Sequence, residues 1–332
     1  MNKTVSMAAA ALALVTTMTA CGSGSESEGA GGGAEGGGGG DTIVLGFSQV
    51  GAESGWRTAN TKSIKQSAED AGFELRFSDA QQQQENQIQA IRSFIQQGVD
   101  VIAFSPVVES GWDTVLVEAR AADIPVVLTD RAVETDEDDV YETFLGSDFV
   151  EEGRKAGRWL VDEYADSDEE VRIVELQGTT GSAPANDRRD GFAEIIGEDD
   201  KFEVIASQDG DFTRSGGQEV MQAFLSSHDD IDVLYAHNDD MALGAIESIE
   251  AAGLEPGEDI KIISVDGIKD AFQAMADGKI NVVVECNPLL GPQLMDLVEK
   301  VHAGEEVPER VKVEEGVFTQ DQAEEELPNR KY

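Results

Sequence analysis

Nine short apolar runs punctuate the chain, and most of them stop on polar residues. The run over 43–47 meets Ser48 and Gln49, that over 75–77 meets Ser78 and Asp79, and that over 101–104 meets Ser105. The run over 124–128 ends at Thr129, Asp130 and Arg131, and that over 171–176 at Gln177. Those over 202–206 and 231–236 end at Ser207, Gln208 and Asp209, and at His237, Asn238 and Asp239. The last two, over 260–265 and 280–284, end at Asp266 and Glu285. Stretches with helical spacing lie between them. Short Val- and Ile-rich runs alternating with helices predict parallel strands in βα units. Ligands of open α/β sheets bind beyond the carboxyl ends of the strands. The pattern therefore predicts a fold class and the address of a ligand site together.

About 290 residues follow residue 40, more than one core usually holds, which predicts two domains. The expected strands and helices fall into two similar sets, over 42–146 and 147–285, each reading as a five-stranded doubly wound unit. From Asn287 onward there remain one expected helix, over 292–302, and one expected strand, over 311–318. No sequence repeat is strong enough to establish that the halves are copies.

The start of the chain reads as a processing signal. Lys3 gives a positive start, 5–15 an apolar stretch, and Thr17-Met18-Thr19-Ala20-Cys21 a small-residue cleavage site. A signal peptide over 1–20, lipid on Cys21 and a Gly-rich tether over 21–40 are the expectation, with Met18 where a lipobox usually has Leu. That places the protein outside the cytoplasm, anchored by lipid to the outer face of the cell membrane, or in the periplasm of a cell with an outer membrane. Cys286 is the only other cysteine, so no internal disulfide is expected.

Acidic residues number 67 against 24 basic, a formal charge of −43. Such a field repels phosphate-rich partners and excludes nucleic acid. The acids are spread over solvated helix faces, and adaptation to high salt is a sharper reading of the same composition.

No cofactor or metal is indicated. Gly31, Gly33 and Gly36 match a dinucleotide fingerprint only formally, since they lie in the tether with no strand before them. His228, His237 and His302 lack metal-ligand spacing. Asp209 and Asp211 lack the further oxygens of a calcium loop. No nucleophile elbow is present, and no spacing selects a carboxylate pair.

What stands out is aromatic, Arg, Asp and Asn residues together at strand ends. Trp56 and Arg57 follow the first strand, Asp130-Arg131 closes the fourth, and Phe212 sits in a polar loop. Asn238 opens a helix, where it could serve only as a cap. Asp266-Gly267 could equally be a turn. Asp130 and Arg131 are expected to be each other's counter-charge. These residue types suit a sugar: aromatic faces for C–H surfaces, and charged or amide groups for hydroxyls that donate and accept.

At these residues the chain resembles the periplasmic sugar-binding proteins of ABC transporters. The class is the ribose-binding one, and within it the galactofuranose-binding subgroup. The strings that carry the resemblance include Gly46-Phe47-Ser48-Gln49-Val50-Gly51-Ala52-Glu53-Ser54-Gly55-Trp56-Arg57 and Ser78-Asp79-Ala80-Gln81. Gly146-Ser147-Asp148-Phe149, Gly210-Asp211-Phe212-Thr213-Arg214-Ser215 and Ala236-His237-Asn238-Asp239-Asp240-Met241 add to them. It implies a type I periplasmic binding protein: two doubly wound, flavodoxin-type lobes joined by a three-segment hinge, with a monosaccharide in the cleft. The lobes would take 41–146 with 287–317, and 147–286 with 318–332. Trp56 and Phe212 would sandwich the ring, with Arg57, Asp130 and Arg131 on one side and Asn238 and Asp266 on the other. Asn186 falls where ribose binders carry a ligand-binding Arg. Cys286 falls where they carry a Gln, with Glu285 beside it. These departures, and Arg57 in place of an aromatic, argue against ribose.

The implied partners are a monosaccharide and the membrane permease of an ABC transporter, with the receptor a monomer and not an enzyme. The competing readings are a sugar-sensing module of a chemoreceptor or sensor kinase, a lactose-repressor-type regulator and a secreted glycosidase. The regulator predicts a basic headpiece, which the export signal and acidity contradict. The glycosidase predicts a carboxylate pair flanking the scissile bond.

Overall fold

A computed structural model describes residues 42–332. The expected signal, Cys21 and tether lie outside the described residues. In chain order the first half runs β1 (Val44–Gln49), α1 (Gly55–Asp70), β2 (Glu74–Asp79), α2 (Gln84–Gln97), β3 (Val101–Phe104), α3 (Asp113–Ala121), β4 (Val126–Thr129) and β5 (Thr143–Gly146). The second runs α4 (Phe149–Glu163), β6 (Val171–Gln177), α5 (Ala183–Ile196), β7 (Phe202–Asp209), α6 (Arg214–Ser227), β8 (Val233–Ala236), α7 (Asp239–Ala251), β9 (Lys261–Asp266), α8 (Lys269–Ala276) and β10 (Val282–Glu285). The remainder adds α9 (Gly291–His302), β11 (Arg310–Lys312), β12 (Val317–Thr319) and α10 (Gln320–Glu326).

Strand order is β11-β5-β4-β3-β1-β2 in one sheet and β12-β10-β9-β8-β6-β7 in the other. Inner strands such as β3, β4 and β8 are apolar and buried throughout, while the edge strand β2 is largely uncovered. Each sheet carries helices on both faces, and its order is the doubly wound one with a switch point beside its first strand.

Two expectations are corrected. Each sheet has six strands, not five. The single strand expected over 311–318 is two, because Glu314, Glu315 and Gly316 interrupt it with residues that favour no strand. β11 pairs parallel to β5, and β12 pairs antiparallel to β10 in the other sheet. The chain thus passes between the sheets after Gly146, after Glu285, and between Lys312 and Val317.

The two halves share a turn that the sequence conceals. After β2, Asp79 Oδ1 accepts from the Gln81 amide at 2.8 Å, and Gln81 and Gln82 take φ of +54° and +59°. After β7, Asp209 Oδ1 accepts from the Asp211 amide at 2.8 Å, and Asp211 and Phe212 take +56° and +58°. Only the aspartate is common to both, yet each turn delivers its second left-handed residue to the same edge of its sheet.

Those edges face one another and touch. Gly55 N donates to Asp240 Oδ2 at 2.7 Å, and Glu109 N donates to the Gly181 carbonyl at 2.9 Å. The Trp56 indole Nε1 donates to the Cys286 carbonyl at 2.7 Å. The structure is that of closed lobes.

Candidate functional site

Between the facing edges lies a small cavity, with about 290 Å³ of space not occupied by atoms when the solvent at its mouth is counted in. Trp56, Arg57, Asp130, Arg131, Phe212, Asn238 and Asp266 all line it. Seven of the nine residues expected to bind ligand are therefore brought together from strands and loops up to 210 positions apart in the chain (56 to 266).

The first lobe supplies a buried charge cluster. Ser54 caps α1 by accepting from Arg57 N at 3.0 Å, which fixes where Arg57 leaves the helix. Arg57 Nη1 lies 2.7 Å from Asp130 Oδ2, and its Nε 3.0 Å from Glu53 Oε1. Ser105 Oγ also donates to Asp130 Oδ2 at 2.7 Å. Arg131 donates from Nη1 to the Val107 carbonyl at 3.0 Å, and its Nε stands 3.8 Å from Asp130. The nearer counter-charge of Asp130 is thus Arg57, three strands earlier in the chain, and not its neighbour Arg131. Burial works against the charge on Arg57, but Asp130 and Glu53 outweigh it and hold the guanidinium above its ordinary value. Burial, then repulsion from Arg57, press Arg131 down to about 10, with Asp130 and Glu53 offsetting part.

The second lobe supplies the facing wall. Asn238 caps α7 by accepting from Met241 N at 3.0 Å, and its amide nitrogen donates to the Phe212 carbonyl at 3.1 Å. The cap reading and the site reading are both true of this residue. Phe212 lies over Gly178, where a Cβ would stand 1.8 Å from the ring. The Arg131 guanidinium faces the Phe212 ring at 5.3 Å, and that of Arg57 the Trp56 ring at 4.7 Å. Asp130, Phe212 and Asp266 all hold positive φ, a strained backbone that clusters where ligands are gripped.

Asn186 and Glu285 do not line the cavity. Pro184 and Arg188 do, one turn apart on α5, so Asn186, two residues from each, points to about the opposite side of the helix. Its amide donates instead to Glu109 Oε2 of the first lobe at 2.6 Å, a clasp at the rim. Glu285 and Cys286 point to opposite faces because neighbouring residues on an extended chain do. Cys286 faces the cavity, while Glu285 accepts from Arg330 Nη1 at 2.8 Å and from the Tyr332 hydroxyl at 3.2 Å, tying down the chain end.

Glu53 and Arg188 are the residues that sequence reasoning passed over. Glu53 lay inside a string already singled out, and Arg188 lies two positions from Asn186, from which only the helix phase separates it. Arg188 Nε pairs with Glu152 Oε2 at 2.7 Å, and its Nη2 lies 3.7 Å from Asp266 Oδ1. Burial opposes its charge, yet Glu152 and Asp266 hold it above the ordinary value. Burial raises Asp266 well above the carboxylate range, against the pull of Arg188.

Three cavity-lining side chains end in buried atoms with no partner among the described residues: Glu53 Oε2, Arg131 Nε and Asp266 Oδ2. An unpaired buried polar group is destabilising by about 1–3 kcal/mol, more when charged. Two acceptors and a donor held open in one cavity suit a ligand with several hydroxyls. Glu152, Cys286 and Glu315 also bring one oxygen or sulfur each within 4.8 Å of one another. There the Arg188 guanidinium already supplies the positive charge that a metal would bring.

Residues 45–306 match the family model described as a periplasmic binding protein domain. The chain belongs to that family. This periplasmic binding protein is 45% identical over 293 residues to the galactofuranose-binding protein YtfQ of Escherichia coli (strain K12), covering 87% of this chain and 92% of the relative. A Mycobacterium smegmatis structure in complex with β-D-fucofuranose is 63% identical, with a TM-score of 0.86 over 88% of this chain and 96% of that one. The binding component of the arabinose ABC transporter of Shewanella sp. ANA-3, bound to α- and β-L-arabinofuranose, is 46% identical. It has a TM-score of 0.84 over 87% of this chain and 96% of that one. Membership makes the protein a substrate-binding component and not an enzyme.

Proposed function

We propose that the protein captures a monosaccharide in its furanose form between two lobes and delivers it to the permease of an ABC transporter. The observation that carries this reading is the cavity between the lobes whose buried Glu53, Arg131 and Asp266 atoms await partners. Trp56 and Phe212, both only 4% exposed, offer apolar faces from the two lobes. A five-membered ring bearing an exocyclic hydroxylated arm presents both an apolar face and hydroxyls spread to two sides. The relatives bound to fucofuranose and arabinofuranose support that ring form over a pyranose.

In this reading the first lobe is the sheet ending in β11 and the second the sheet ending in β12, and the three passages between them form the hinge. Sugar stabilises closure because it adds contacts to both charged walls beyond those the lobes make directly. Asn186 and Glu285 act elsewhere, in the rim clasp and in tying down the chain end. Lipid on Cys21 would hold the receptor, a monomer with a site complete in one chain, at the outer membrane face.

Isothermal titration of residues 41–332 against D-galactose, L-arabinose, D-fucose, D-ribose and D-glucose tests this. One-to-one heat with galactose, arabinose or fucose, and none with glucose, is the expected result. Binding of the methyl pyranosides of these sugars but not of their methyl furanosides would overturn the ring assignment, and no heat with any sugar would overturn the reading.

A further inference from the structure

All three passages between the sheets converge on one carboxyl group, that of Glu315. Ser147, in the first passage, donates from Oγ to Glu315 Oε1 at 2.5 Å. Asn287, in the second, donates its backbone N–H to the same oxygen at 2.8 Å. Glu315 itself lies in the third. Its other neighbours are Glu152 and Cys286, and Glu152 Oε1 is buried without a partner among the described residues. Two cations nearby spend their N–H groups on carbonyls: Lys155 Nζ on Glu315 O at 2.8 Å, and Arg310 Nη2 on Ser147 O at 2.5 Å. Arg188 is committed to the other oxygen of Glu152 and reaches the cavity.

A proton shared with Glu315 would satisfy the Glu152 oxygen. A proton on Glu315 Oε2 can be donated to Glu152 Oε1, while Oε1 of Glu315 keeps its two donors. We propose that Glu315 is a positioning residue of the sugar site. Closure buries its carboxyl group together with a proton taken from solvent. The O–H···O bond to Glu152 then holds Arg188 in the cavity. The inference rests on the sugar reading above and adds a proton to it.

Electrostatics agree with the geometry. Burial first, then the charge of Glu152, push Glu315 up to about 9. Burial, then the charge of Glu152, keep the Cys286 thiol neutral, and its proton goes to Ser147 Oγ at 3.4 Å, whose own proton is spent on Glu315. Asp266, whether neutral or negative, does nothing to favour ionising Glu315. On this proposal, opening the hinge lets water reach the meeting point of the three passages, and the group falls back toward the ordinary 4.5. Closure therefore takes up a proton between those limits.

Titration of the 41–332 protein with D-fucose, L-arabinose and D-galactose at pH 7, in buffers of different ionisation enthalpy, counts that proton. Uptake approaching one per sugar is expected, with affinity falling by up to about tenfold per pH unit toward pH 9. Glu315→Ala should lose affinity at least tenfold. Glu315→Gln, whose amide still donates to Glu152, should recover it, take up no proton and show a flat profile from pH 6 to 9. No uptake in the wild type, or unchanged uptake in Glu315→Gln, overturns the proposal. Heat with no sugar would overturn the sugar reading and the positioning role with it. Melting from pH 5 to 9 with sugar at saturation gives a second reading of the buried proton. A wild-type Tm that falls relative to Glu315→Gln as pH rises supports it, and a constant difference overturns it.

Discussion

Asn238 joins two tasks in one amide: its oxygen caps α7 through Met241 N, and its nitrogen holds the carbonyl of Phe212. Its two variants separate those tasks. Asn238→Asp keeps the cap acceptor but turns an oxygen toward the Phe212 carbonyl. It should keep its Tm within a few degrees and bind sugar at least tenfold more weakly. Asn238→Ala loses both bonds and should also be destabilised by about 1–2 kcal/mol in urea unfolding.

Gly178 is a packing requirement of the site. A single added methyl there meets the Phe212 ring at 1.8 Å, so the ring must leave its place. Gly178→Ala should fold, with unchanged far-UV circular dichroism, and lose most of its sugar affinity. Full affinity in this variant would remove Phe212 from the site.

Asp130 and Arg131 should respond differently to truncation, because Arg57 is the closer partner of Asp130. Asp130→Asn leaves Arg57 and Arg131 buried with one carboxylate, Glu53, between them. About 3–5 kcal/mol of stability should be lost, read by denaturant unfolding. Arg131→Ala leaves the Arg57–Asp130 pair intact and should lose less, about 1–3 kcal/mol, from the abandoned Val107 carbonyl. Its larger effect should fall on sugar affinity.

The Trp56 indole bridges to the Cys286 carbonyl across the facing edges. Trp56→Phe keeps an aromatic face but leaves that carbonyl unpaired when the lobes close. Affinity should fall by about 1–3 kcal/mol with little change in the Tm of the sugar-free protein. Asn186→Ala, which removes only the rim contact with Glu109, should lower affinity less and raise the off-rate in stopped-flow measurements.

His237 predicts an acid limit on stability. Burial lowers the ring below its ordinary 6.5, against the pull of Glu175, whose Oε1 lies 3.0 Å from Nε2. The folded protein therefore holds a neutral ring that donates from Nε2, with Nδ1 unpartnered. A depressed histidine contributes stability above 6.5 that is lost as pH falls below it, because the unfolded chain then binds the extra proton. The wild-type Tm should drop from pH 7 to pH 5, and His237→Gln should flatten that drop.

The alternation of apolar runs with helices determined the doubly wound class, since strand period and burial are local properties of the chain. The strand ends determined the address of the site for the same reason. Trp56, Asp130, Arg131, Phe212, Asn238 and Asp266 were legible because each stands directly beyond a strand or in a strand-to-helix loop. Which partner each would take was not. Arg57 lies beside Asp130 only because β1 and β4 belong to one sheet with β3 between them. Arg188 replaces Asn186 at the cavity through helix phase, and Cys286 replaces Glu285 through strand alternation, shifts of two and one positions that residue spacing alone leaves open. The kinship of the two halves shows in paired left-handed turns after β2 and β7, where backbone shape is shared and side chains are not. Glu315 was the least legible of all. Nothing near it in sequence marks it, and its environment exists only where three separate passages of the chain meet and exclude water.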